Sequence, residues 1–184
     1  MNKRISTHNE FTGAAQPFNS VQRHRLEMQG YLGYSDHDLS QFGYWTRLAP
    51  GLCAAIGVVG TILTSEAIIW MLAAISLLGA ASPRHPFDWL YNKVLRHPFG
   101  TYPVPHHGRP RRFACTVATV WLVGTGVAFY LGDDLTGYIL GVLFVIIASV
   151  PAVIGFCIPS YIYRRSAQLS SGFREWRVAR KFGS

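Results

Sequence analysis

The chain is 184 residues long, 49% hydrophobic and only 14% charged, with a formal net charge of +8. That length leaves room for one domain, and the balance departs from a soluble domain towards one that lives in lipid. The seventeen Lys and Arg are confined to the two ends of the chain and one middle segment. A nucleic-acid-binding domain would interleave its cations through folded elements, so the expected partner is membrane lipid and not nucleic acid.

Residues 1–47 form a polar arm carrying Phe11, Phe18, Tyr31, Tyr34, Phe42, Tyr44 and Trp45. Disordered tails seldom hold so many aromatics. Its first 41 residues are polar throughout, so no cleavable signal peptide is expected. Trp45 stands just before the first apolar run, where an aromatic belt meets lipid headgroups.

Residues 48–83 hold two uncharged runs broken by Glu66, which predicts a first transmembrane hairpin. Each run reaches only about 27 Å against a hydrocarbon core of about 30 Å, so a tilted or re-entrant arrangement stays open. Gly57 and Gly60 mark a smooth face for helix packing.

Residues 84–112 are basic and proline-rich, and Arg-His-Pro-Phe occurs twice, at 84–87 and 96–99. Between the copies, Phe87, Leu90, Tyr91 and Val94 fall at helical spacing. This predicts a short amphipathic helix along the cytoplasmic interface, bounded by the two prolines, with Trp89 and Tyr91 as interfacial or docking residues. His106 and His107 are adjacent imidazoles, but no third ligand is identifiable nearby. A basic loop touching anionic lipid accounts for them without a metal.

Residues 113–163 predict the second hairpin, its helices joined at Asp133 and Asp134. Gly137 and Gly141 form a Gly-x-x-x-Gly pair suited to close helix packing. Pro151 and Pro159 predict a bend towards the far end of the last run. The tail, residues 164–184, mixes cations with aromatics, and Trp176, Arg177 and Arg180 are its expected anchoring or docking residues. The turns within the hairpins carry only acids, whereas the arm, the middle segment and the tail carry all the Lys and Arg. The positive-inside rule then places both termini in the cytoplasm.

Every histidine lies outside the predicted spans, so no imidazole is offered at membrane depth to a haem or chlorophyll, and no cofactor is expected. The spans also lack the ionisable residues that mark proton and ion paths. Cys53, Cys115 and Cys157 sit in or beside apolar stretches without the spacing of a zinc site or disulfide framework, and read as small packing residues. The fold class is therefore an all-α integral membrane protein, four helices in two hairpins with a cytoplasmic interfacial helix between them.

The paired hairpins, Ser82-Pro-Arg-His-Pro-Phe-Asp-Trp-Leu-Tyr-Asn, Pro110-Arg-Arg-Phe113 and Gly155-Phe-Cys-Ile-Pro-Ser-Tyr161 resemble an uncharacterised bacterial membrane family, domain of unknown function 4395. The resemblance covers about residues 40–165. It implies a last helix closed by Phe-Cys-x-x-Cys, where this chain has Phe156, Cys157 and Ser160. A dithiol there would exchange disulfides, and Cys157 alone cannot complete that cycle.

Two functions follow as expectations. The first is a non-catalytic accessory subunit that packs against the subunits of a larger membrane complex, an energy-transducing assembly, photosynthetic or respiratory, being the kind that commonly recruits small helical proteins. The second is a membrane thiol-redox or sulfur-handling protein that uses Cys157 with a partner's cysteine.

Overall fold

The computed structural model describes residues 19–99 and 102–167, which are mainly helical, with no strand among them. The last turns of the arm are held by local capping. Asn19 caps α1 (Ser20–Met28), and Ser35 with Asp38 forms a reciprocal capping box at α2 (Asp36–Phe42). These two helices close a small core of their own, in which Leu26, Tyr31, Leu39 and Phe42 are buried.

A short 3-10 turn, Trp45–Arg47, leads into α3 (Leu48–Ile62). Ser65 then caps α4 (Glu66–Ala81). Pro86 in the first turn and His85 at the N-cap start α5 (Pro86–Leu90), which runs through a π-helical turn, Tyr91–Leu95, into α6 (Arg96–Phe99). The first Arg-His-Pro-Phe copy is thus a helix start. The second lies inside the last turn.

The long helices are α7 (Arg109–Tyr130) and α8 (Asp134–Ile154). They pack with α3 and α4 into a bundle in which α3 touches α4 and α8, and α7 touches α4 and α8. Ile69, Leu72 and Leu122 are fully buried at its centre, beside Phe129 and Phe144. Small residues allow the close approach: Gly57 faces the Phe144 ring, Gly60 meets Ile69, and Gly137 lies on the Phe129 ring. Gly141 lies so close to Thr61 that a Cβ there would come within 3.0 Å of its side chain.

Three helices are long and apolar enough to cross a membrane, Trp45–Ile62, Arg109–Tyr130 and Asp134–Ile154. A fourth crossing requires Glu66–Ala81 and Pro86–Leu95 to count together, and that pair is bent by 80°. α4 alone has 16 residues, about 24 Å at the helical rise, short of a full hydrocarbon core.

The last predicted span ends early. Gly155, left-handed at φ 69°, terminates α8, and helix resumes over 158–167. The break therefore falls at a glycine cap and not at Pro151, which stays inside α8. Arm side chains take the carbonyls exposed there: Arg47 donates to Val153 O at 2.8 Å, Arg25 to Ile154 O at 2.7 Å and Gln29 to Gly155 O at 2.8 Å. Cations at a helix C-terminus also oppose its dipole.

Candidate functional site

The arm end of the bundle holds a buried ion pair. Arg111 lies in the first turn of α7 and is only 7% exposed, although its position beside the apolar run reads as one more interfacial cation. Its NH2 group sits 3.3 Å from Asp88 Oδ2 in α5. It also donates to Thr46 O at 3.3 Å, while NH1 donates to the Tyr31 hydroxyl. One guanidinium thereby ties together the arm, the turn before α3, α5 and α7. Burial pushes the Tyr31 phenol up to about 12.

Two imidazoles border the pair. His107 Nε2 lies 3.3 Å from Gly79 O, an acceptor, so Nε2 carries the proton. Its Nδ1 then faces Asp88 Oδ2 at 4.0 Å; among the described residues neither atom has a hydrogen-bond partner, and Oδ2 has only its ion pair with Arg111. Burial and the Arg111 charge hold His107 down to about 4, so the nearby carboxylate, already engaged by Arg111, does not draw a second cation. His85 accepts the Phe87 N–H at Nδ1, 3.3 Å away, which leaves the proton on Nε2. It too is held neutral, at about 3, by burial and then by Arg111 and His107.

Gly79 makes room for this ring. The position a Cβ would take there is 3.1 Å from His85 Nε2 and 3.3 Å from Cys115 Sγ. Imidazole and thiol therefore stand no further apart than one methyl group between them.

Beside the ion pair is a cavity of about 280 Å³ framed by α3, α4, α7 and α8. Its walls are apolar, among them Pro50, Ala118, Trp121, Phe144 and Pro151. All three cysteines line it, Cys53 from α3, Cys115 from α7 and Cys157 from the break after α8, and all are free thiols. Sequence spacing alone does not show this convergence, since the thiols come from three separate elements.

Of the expected docking residues, Trp89 is exposed beneath Lys93, whose Nζ lies 4.8 Å from the ring centroid. Tyr91 is a correction: it is 1% exposed and stacks on half-buried Trp45 at 4.8 Å. The π-helical turn and the bend after α4 turn this residue inward, so the connecting helix is docked into the bundle and does not merely lie on its surface. Trp176, Arg177 and Arg180 lie outside the described residues. His106 is exposed while His107 is buried, so the two do not converge, and no cluster of three His, Cys, Asp or Glu suited to a metal occurs among the described residues. Sequence reasoning missed the ion pair; the signal that could have found it is that Asp88 is the sole acid in residues 84–112.

Ser160, where the family resemblance implies a second thiol, is buried and donates to Pro110 O at 3.1 Å. Residues 44–168 match the family described as Domain of unknown function (DUF4395), more than half of the chain, and the protein belongs to that family. No curated protein and no solved structure matches the chain.

Proposed function

We propose that this is a non-catalytic accessory subunit of a larger complex in a bacterial inner membrane, set in the bilayer as two hairpins with both termini and the α5–α6 segment in the cytoplasm. The observation that carries the reading is the division of its surface. The buried charges, Asp88 and Arg111, are spent on joining the arm and the connecting helix to the bundle. Outward, α3, α4, α7 and α8 present large apolar side chains such as Ile62, Leu78, Val120 and Ile146. At the arm end, Tyr44 and Trp89 stand exposed beside Arg47 and Lys93, the composition of anchor residues at interfaces. The distribution of Lys and Arg supports the orientation. An energy-transducing complex, photosynthetic or respiratory, is the kind of partner proposed, by analogy with other small helical subunits.

The test is purification in mild detergent through a C-terminal tag, with mass spectrometry of co-eluting proteins and an absorption spectrum of the intact particle. A stoichiometric larger complex is expected. A lone monomer or homo-oligomer would overturn the reading.

One observation favours a second reading, thiol-redox or sulfur handling: three free cysteines share one cavity. Cys157 would then act with Cys115 or Cys53 of the same chain, without a partner's thiol. Cys157→Ser discriminates, because an accessory role survives the change and thiol chemistry does not.

A further inference from the structure

We propose that the cavity binds an apolar, membrane-soluble molecule whose polar group is a neutral carbonyl oxygen, of the quinone class, and that the carbonyl takes its hydrogen bond from His85 Nε2. The polar groups around the cavity divide into those already engaged and those still open. Arg111 is engaged by Asp88, Thr46 and Tyr31, and Gln29 donates to Gly155 O. His85 is different. It is 4% exposed, lines the cavity, and directs no Nε2–H bond to any described residue, its Nδ1 being used by Phe87 N–H. Ser76, one turn before Gly79 on the same helix, is 2% exposed, also lines the cavity, and its hydroxyl has no partner among the described residues. An unengaged donor on a cavity wall is available to a ligand acceptor, and in an apolar pocket such a group fixes the ligand's orientation.

The charge state narrows the ligand further. A phosphate or carboxylate head would need an uncompensated cation, and the one guanidinium here is neutralised by Asp88. The imidazole is neutral, Arg111 and Gln29 are engaged elsewhere, and apart from Ser76 the rest of the lining is apolar or thiol, which suits a neutral acceptor on an apolar body. Ala114, Val117, Ile147 and Pro151 are half-buried and Ile158 is 39% exposed, so the lining reaches the surface between α7 and the end of α8. A molecule dissolved in the bilayer would enter sideways there.

The experiment uses the full chain in mild detergent and a decyl-substituted benzoquinone, a quencher of indole, with Trp121 in the cavity wall as reporter. Saturable quenching is expected. His85→Asn keeps an acceptor for the Phe87 N–H but shortens the donor, and should weaken binding about tenfold, one hydrogen bond's worth. Ala118→Leu fills the cavity and should abolish saturation, while Ser76→Ala should give a smaller loss; thermal unfolding confirms that each variant is folded. The dimethyl ether of the reduced ring, which has the same shape and no carbonyl, should fail to compete. Linear quenching that is equal in wild type and Ala118→Leu would overturn the proposal as micelle partitioning. So would competition by the ether, affinity unchanged in His85→Asn, or a co-purifying phospholipid that the quinone cannot displace.

Discussion

The two ends of the bundle close in opposite ways. At one end, the turns 63–65 and 131–133 use local devices: Thr64 at φ 46°, Gly132 at φ 76°, and Ser65 and Asp133 as side-chain caps. Glu66, Asp133 and Asp134 stay exposed there. At the other end, the chain buries an aspartate, an arginine and two histidines, and fastens them with contacts between residues as far apart as Tyr31 and Arg111. Where the chain turns back within three residues, capping suffices. Where it must dock an arm and a connecting segment, buried polar contacts fix their position.

The largest expected difference comes from removing a carboxylate at each end. Asp88→Leu would strand the Arg111 charge inside the bundle, at a cost of about 3–5 kcal/mol, whereas the double variant Asp88→Leu/Arg111→Met should recover most of the loss. Glu66→Gln, at an exposed position, should stay within about 0.5 kcal/mol. Thermal unfolding in detergent, followed by circular dichroism, compares them. Equal losses at Asp88 and Glu66 would break the contrast.

Acid should act at the arm end next. His85 and His107 are held at about 3 and about 4 in the folded protein, against an ordinary value of about 6.5. As pH falls below about 6.5 the unfolded chain binds protons that the folded one refuses, so stability declines until the folded values are reached. Their contribution is constant above the ordinary value and lost progressively below it. His107→Gln should make the acid decline shallower, measured as the unfolding midpoint against pH. An unchanged slope would show that the imidazoles are not the groups responsible.

This difference between ends also explains what was legible in the sequence. The apolar helices were readable because hydropathy averages over whole segments, and the family pattern reinforced them. Arg111 was not, since a cation in the first turn of a span looks the same whether it faces headgroups or an aspartate 23 positions earlier. Tyr91 kept its expected helical spacing, but the bend after α4 decided which way that face points. The early end of α8 depends on Gly155 and on arm residues more than a hundred positions away, which local periodicity does not contain. The three thiols converge for the same reason, being set by the packing of three elements.

The smallest predicted effect tests whether the arm is a separable layer. Arg47→Ala removes the bond to Val153 O and Arg25→Ala the bond to Ile154 O, and each should cost about 1 kcal/mol, because these bonds lie near the surface. The loss should be local. Hydrogen exchange should rise across 19–47 and in the last turn of α8, while the backbone amides around Leu72 and Leu122 keep their protection. If Arg47→Ala instead lowers protection throughout α3 and α8, the capping contacts support the bundle itself, and the arm would belong to the same cooperative unit as the long helices.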